Sequence, residues 1–374
     1  MGSTSIRIYT TYEPHMAAPQ PEEFELAGEL NEVLLSISRK TWEDDHQPLR
    51  SVHAKSHGIL SAKLEVLPNL APELAQGLFA VPATYEVVAR LSTSPGDLLS
   101  DRVSTPRGMA IKVLDVPGER LEGSEDRSCQ DFILVDGPQF HTPNARTFLR
   151  SLKLLASTTD RAPRTKQALS TVLRGAERAI EALDGESATI KSLGGHPATH
   201  ILGETFFTQL PIRYGDYVAK LQLVPVNQPL SALKDEPIDL GNPDALREAV
   251  NRYFAQNTAI WELRVQLSTN LKDMPIEDAS VPWDESQSPF RTVARLIAPR
   301  QVGWSAEKAK WVDDGMGFSP WQGIEEHRPL GDLMRLRKSA YAASQRFRSE
   351  KAGCPLHDRR LSEAGETQHL DDGL

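Results

Sequence analysis

The sequence predicts an α+β protein built on an eight-stranded antiparallel β-barrel with helices packed outside it. Three observations predict this. Eight short β-rich runs occupy residues 57 to 299: HGILSAKLEV (57–66), YEVVARLST (85–93), RGMAIKVLDV (107–116), DFILVDG (131–137), HILGETFFTQ (200–209), DYVAKLQLVP (216–225), AIWELRVQLS (259–268) and RTVARLIAP (291–299). They lack the regular strand–helix alternation of a doubly wound parallel sheet. Eight antiparallel strands also suffice to close a barrel whose interior is filled by side chains.

The helical stretches stand apart from those runs. LAGELNEVLLSISRKTWEDD (26–45) carries Leu26, Leu30, Val33, Leu34 and Ile37 at helical spacing. TPNARTFLRSLKLLAS (142–157) opens with Thr142 as a cap and Pro143 in its first turn. PRTKQALSTVLRGAERAIEAL (163–183) reads as a second inserted helix, and RLRKSAYAASQRFR (335–348) as a basic helix near the end. Residues 300–334, with Trp304, Trp311 and Trp321, read as a long loop. The chain then divides into an N-terminal arm and helix (1–49), a barrel core with inserted helices (50–300), a wrapping loop and final helix (301–352), and a polar tail (353–374) expected to be disordered.

Composition narrows the function. With 374 residues, 39% hydrophobic and 25% charged, the chain is globular and has a sizeable core. A net charge of −9 speaks against general binding to nucleic acid or to an anionic membrane surface. Cys129 and Cys354 make no disulfide framework, and MGSTSIRIYTTYEPH has no apolar leader core. No run approaches the roughly 18 apolar residues that span a bilayer. The expectation is a cytoplasmic protein without integral membrane contact.

The basic helix sets Arg337, Tyr341, Ser344 and Arg348 four, three and four residues apart, on one face. PLRSVHAKSHGIL (48–60) puts Arg50 and His53 just before the first strand. ARLSTSPGD (89–97) puts Arg90 and Ser92 on the same side of a strand. Phe132 and Phe140 follow. Taken singly, each of these has an ordinary packing or ion-pair explanation. HPATH (196–200) spaces two histidines four apart but has no third metal ligand close in sequence. Phosphate-binding, dinucleotide and nucleophile-elbow motifs are absent from the sequence.

Taken in order, these segments resemble the catalase superfamily over roughly residues 45 to 350. RSVHAK resembles that family's R-x-x-H-A-K distal motif, ARLSTSPGD its "RFST…GE" strand and STPRGMAIKVL its "DPRGFAVKF" strand. FILVDGPQF is similar to the stretch with two haem-side phenylalanines, FSPW (318–321) to the loop before the proximal helix, and RKSAYAASQRFR to the proximal R-x-x-x-Y motif. The resemblance implies a haem b with its iron ligated by Tyr341. A free phenol titrates near about 10, so phenolate ligation needs help from the metal and a neighbouring cation, here Arg337. Such ligation favours ferric iron and peroxide chemistry. Arg50, Arg90 and Arg348 would pair with the two haem propionates. His53 would be the general acid–base, Ser92 would orient its imidazole, and Val52 and Phe132 would wall a dry distal pocket. Phe140 would lie near the haem edge, while His57 would face elsewhere.

Departures from the family pattern shape the expected activity. Full catalases carry a distal asparagine that helps hold peroxide; ungapped alignment puts Arg127 there, and Gln130 is the nearest amide. Position 345, histidine in many relatives, is Gln345, and the expectation is a short member without the long C-terminal extension of ordinary catalases. The leading expectation is therefore a small haem enzyme acting on organic (fatty-acid) hydroperoxides as a peroxidase or an isomerase/lyase. Hydrogen peroxide dismutation is the alternative, favoured by Val52, where allene-oxide-forming relatives have threonine. A non-enzymatic haem carrier or sensor is the alternative of another class, against which His53 stands. Relatives usually associate, which implies a homo-oligomer.

Overall fold

In a computed structural model that describes residues 8–156, 196–353 and 355–365, all eight runs form strands and a ninth joins them. They are β1 Ser56–Val66, β2 Thr84–Thr93, β3 Arg107–Val113, β4 Gln130–Val135, β5 Phe206–Phe207, β6 Ile212–Tyr214, β7 Tyr217–Pro225, β8 Ala259–Leu267 and β9 Arg291–Ala298. The hydrogen-bonded order is β5-β4-β3-β2-β1-β9-β8-β7-β6, and β5 also pairs with β7. That last pairing, Phe206 to Leu223 and Phe207 to Gln222, closes an eight-stranded antiparallel barrel and leaves β6 as a short extra partner of β7.

Period-two alternation fills the interior. Leu60, Leu64, Ala89, Leu91, Met109, Ile111, Leu134, Leu221, Leu223, Trp261 and Leu263 share one buried cluster. Each large side chain held there contributes on the order of 2 kcal/mol of transfer free energy. β5 is far shorter than the run HILGETFFTQ suggests. Residues Ile201–Gly203 make a 3-10 turn instead, which His200 caps by accepting from the Leu202 N–H at 3.2 Å. Backbone crowding fixes that turn: a Cβ on Gly203 would lie 2.1 Å from the Leu233 carbonyl oxygen.

Outside the barrel, the helices Glu23–Asp45, Ala145–Ala156 and Asp332–Ala352 pack together through Leu30, Ile37, Leu149, Leu152, Leu336 and Ala340. The helix expected over 163–183 lies outside the described residues. The stretch 300–334 is not all loop. Ser305 caps a helical turn at Ala306–Ala309 by accepting from the Lys308 N–H, and this continues into a single π turn at Lys310–Asp314. So short a helix carries too few apolar residues to show a period, which is why the sequence reads there as loop. Val312, Met316 and Phe318 from this stretch cover Ile59 and Val88 on the barrel's outer face.

The tail, expected to be disordered, is packed over its described part. Leu361 is buried in the same outer cluster, and Asp358 pairs with Lys112 at 3.0 Å and with Arg127 at 2.8 Å. Lys112 is wholly buried and also reaches Asp131 at 2.9 Å. Burial pulls its pKa down, but Asp131, Cys129 and Asp358 outweigh that and raise it. Among the described residues, no helix is long and apolar enough to cross a membrane.

Removing the cation should expose how much this node holds. Lys112→Met would leave buried Asp131 without its cation and Asp358 with Arg127 alone, and a loss of about 3–5 kcal/mol is expected in denaturant unfolding. A loss below about 1 kcal/mol would show that the two carboxylates find solvent instead.

Candidate active site

Strand register assembles one wall of the site. Ser92 pairs with Gly108 and Gly108 with Val135, while Arg90 pairs with Ala110 and Ala110 with Ile133. Paired residues share a face, so Arg90 and Ser92 point outward from the barrel together. The loop at 50–55 lies across this face. His53 N–H donates to the Ser94 carbonyl and Ala54 N–H to that of Pro95, each at 2.9 Å. Ser51 ties the same loop to the N-terminal helix through Ser38, oxygen to oxygen at 2.8 Å.

His53 is held in an unusual backbone conformation, with φ of +54°. Non-glycine residues rarely take it, and where they do the surrounding contacts must impose it. Its ring lies over Gly108: a Cβ there would stand 2.7 Å from Cε1 and 2.9 Å from Nδ1, so a side chain at 108 would expel the imidazole. Nδ1 sits 3.1 Å from the Ser92 hydroxyl. Burial, then the charges of Arg90 and Arg337, lower the His53 pKa to about 4. The imidazole is therefore neutral near pH 7.

Arg337 belongs to the C-terminal helix, and its Nη2 donates to the Tyr341 hydroxyl oxygen at 2.7 Å. The guanidinium also lies over the same ring, 5.3 Å from its centroid. The Arg337 charge is one of those that act on His53. Val52 and Tyr341 are both half-buried.

The three other arginines do converge, but on the protein itself. Arg50 Nη1 donates to Asp313 Oδ1 at 2.9 Å and Arg90 Nε to the same oxygen at 2.6 Å. Arg348, on the helix face predicted for it, donates to the backbone carbonyls of Asp313 and Met316. Arg50 Nη2 takes those of Val312 and Met316. Asp313 was missed because its stretch reads as loop; a pair of acids beside Gly315 was the only signal.

Some expected placements fail. Phe132 does not wall this pocket: its neighbours Asp131 and Ile133 face outward, so strand alternation turns Phe132 into the barrel, against Phe79 and His327. Phe140 packs on Phe148 and lies with Trp321, Leu333 and Met334 beside the first turn of the C-terminal helix. Arg127 points to Asp358, away from His53. Gln130 Oε1 accepts from the Ile324 N–H at 2.9 Å. Neither supplies a distal amide. Gln345 is packed on Gly317 with a buried Nε2 that has no partner. His57 does face elsewhere, 3.1 Å from the Thr93 hydroxyl.

HPATH turns out differently from its sequence reading. His196 lies 2.7 Å from Asp136, and Glu204 is close enough to complete a possible metal triad. The Arg107 side chain, however, hydrogen-bonds His196 and lies 3.9 Å from Glu204. A cation of the chain already fills that space.

A closed eight-stranded antiparallel barrel with helices packed outside it is the catalase-like fold, and solved structures agree. Catalase A from Saccharomyces cerevisiae matches with a TM-score of 0.58 and 17% identity, over 83% of this chain and 63% of that one. A fungal catalase matches with a TM-score of 0.57 and 18% identity, over 93% and 68%. A bacterial catalase matches with a TM-score of 0.56 and 16% identity, over 95% and 67%. This chain thus spans less than two thirds of the yeast enzyme's length. No family model and no curated protein sequence matches it.

The buried neutral histidines set an acid limit. His53 and His200 titrate near about 4 and His327 near about 3 in the folded chain, below the unfolded value of about 6.5. Protons then bind the unfolded chain more readily, so stability is lost as pH falls from about 6.5 through 4 and 3. Asp131, raised to about 6 by burial, works the other way over part of that window. Denaturant unfolding at pH 7 and pH 4.5 should show a loss of several kcal/mol (about 3 for each fully charged imidazole). Equal stability at the two values would mean these rings are solvated.

Proposed function

We propose that this chain is a haem-dependent oxidoreductase of the catalase type, in which Tyr341 ligates the iron and His53 works on the opposite face. The observation that carries this reading is the Arg337 hydrogen bond to the Tyr341 oxygen at 2.7 Å, from an arginine whose charge acts on a neutral His53 held by Ser92. The charge at the other end supports it too. Three buried guanidinium groups, Arg50, Arg90 and Arg348, surround one carboxylate, Asp313. That leaves an excess of positive charge for a ligand bearing two carboxylates.

When bound, haem supplies the redox chemistry of ferric iron towards an O–O bond. The chain's own groups do the rest. His53 takes the hydroperoxide proton at Nε2 and returns it to the departing oxygen, while Ser92 holds Nδ1 so that the ring cannot turn. Arg337 keeps a hydrogen bond on the Tyr341 oxygen. Val52 and the 50–55 loop keep water from the imidazole.

We take organic hydroperoxides, fatty-acid hydroperoxides among them, as the preferred substrate class, for peroxidase or isomerase/lyase action. Arg127 and Gln130 are both engaged elsewhere, so neither provides the amide that holds hydrogen peroxide in full catalases. Hydrogen peroxide dismutation is the second reading, favoured by Val52 beside His53. Cytoplasmic location and association into a homo-oligomer are further parts of the proposal.

Haem-loaded protein would be given hydrogen peroxide on an oxygen electrode and, separately, a fatty-acid hydroperoxide whose consumption is followed. Consumption of the lipid hydroperoxide with little oxygen evolution is expected; rapid oxygen evolution would make the chain a small catalase. Tyr341→Phe should remove the phenolate charge-transfer bands, and unchanged bands would move the ligand elsewhere. His53→Gln should keep those bands and slow peroxide cleavage by on the order of 10²–10⁴. A change below threefold would take His53 out of the reaction, and haem bound without turnover of either peroxide would mark a carrier.

A further inference from the structure

The arginines that would hold a ligand's carboxylates already hold a carboxylate of the chain. Asp313 Oδ1 accepts from Arg50 and Arg90, and Oδ2 accepts from the Ser56 hydroxyl at 2.6 Å. Ser56 Oγ in turn receives the Trp304 indole N–H at 2.9 Å. Asp313 lies in the π turn Lys310–Asp314, one residue before its end, a feature that often marks a functional site because it re-aims one side chain. We propose that Asp313 is an internal counter-anion at the carboxylate end of the site, holding Arg50, Arg90 and Arg348 together in the haem-free protein and competing with the two carboxylates of the incoming porphyrin. This rests on the haem reading above.

The charge balance explains why one residue can do both. Three like charges that close, and out of water, repel strongly, and a single carboxylate among them lets the apo protein keep the site formed. It does not neutralise them. Asp314 beside it is pushed up by burial and then by Asp313, and even with both carboxylates counted the three guanidinium groups keep a positive charge in excess. A dianion entering the site is drawn by the excess positive charge and repelled by Asp313. Asp313 therefore weakens the affinity for dianionic porphyrin and leaves that for an uncharged one alone. Arginines that served only to cap the 306–314 helix would give no such dependence on ligand charge.

The test uses the full haem-free chain and its Asp313→Asn variant, titrated with protoporphyrin IX and with its dimethyl ester and followed by quenching of tryptophan emission. Asparagine keeps an acceptor for Ser56. At low salt the variant should bind the diacid about ten-fold or more tightly than the unmodified chain does, with the ester unchanged. Its midpoint in denaturant should also fall. Diacid affinity that is unchanged, or that moves together with ester affinity, overturns the proposal. Binding of neither porphyrin by the unmodified chain overturns the haem reading as well. If circular dichroism shows that Asp313→Asn does not fold, Ser56→Ala, which frees Oδ2, should raise diacid affinity about threefold, within the worth of one charge-assisted hydrogen bond; no change there overturns the proposal.

Discussion

Four stretches of chain meet at Asp313, and the site's shape depends on that meeting. Arg50 comes from the loop before β1, Arg90 from β2, Arg348 from the C-terminal helix, and Asp313 from the segment laid over the barrel. Each element alone is positioned loosely by apolar contact, which has no direction. Guanidinium forks do have direction, and in a region poor in water they fix where each element stops. The C-terminal helix is thereby set at one depth, and with it Tyr341, two turns before Arg348.

How much of this was legible in the sequence varies with the physics behind each feature. Alternation along strands is written residue by residue, so all eight barrel runs and the shared side of Arg90 and Ser92 could be read directly, though not that this side faces outward. Helical spacing likewise placed Arg337, Tyr341 and Arg348 on one face. Phe132 shows the limit: a motif match gave its identity but not its side, and the register with Ile111 and Ile133's neighbours decided the side. Closure of the barrel through two residues, Phe206 and Phe207, depends on backbone crowding at Gly203 that no local pattern displays. Asp313 needed tertiary knowledge of a kind the sequence holds only as a pair of acids.

Buried charge is distributed unevenly over the fold, and the two main nodes behave differently. Around Lys112, one cation meets Asp131 and Asp358, and the hydrogen bonds are made within the protein. Such a node fixes geometry: it docks the 355–365 segment, whose His357 N–H also reaches the Gly315 carbonyl at 2.8 Å. Around Asp313 the balance is reversed, with cations in excess. A fold does not leave positive charge uncompensated in its interior without some return, because desolvation of each ion costs several kcal/mol. The same asymmetry would attract a dianion.

Along β3 come Gly108 beneath His53, then Ala110 beside Arg90, then Lys112, so the Asp313 node stands between His53 and Lys112. Burial, and then positive charge from Arg90 and Arg337, keeps the imidazole neutral, which a base needs before it can accept a proton. The strained backbone at residue 53 and the bare Gly108 beneath the ring show that packing was arranged to hold this one side chain rather than to bury more apolar surface. A core histidine would have been easier to place at φ below zero. The position of the loop, tied to β2 by Ser94 and Pro95 and to the N-terminal helix by Ser51, follows from that demand. The barrel supplies a rigid floor, the helices a lid, and the polar groups between them account for why neither surface is wholly apolar.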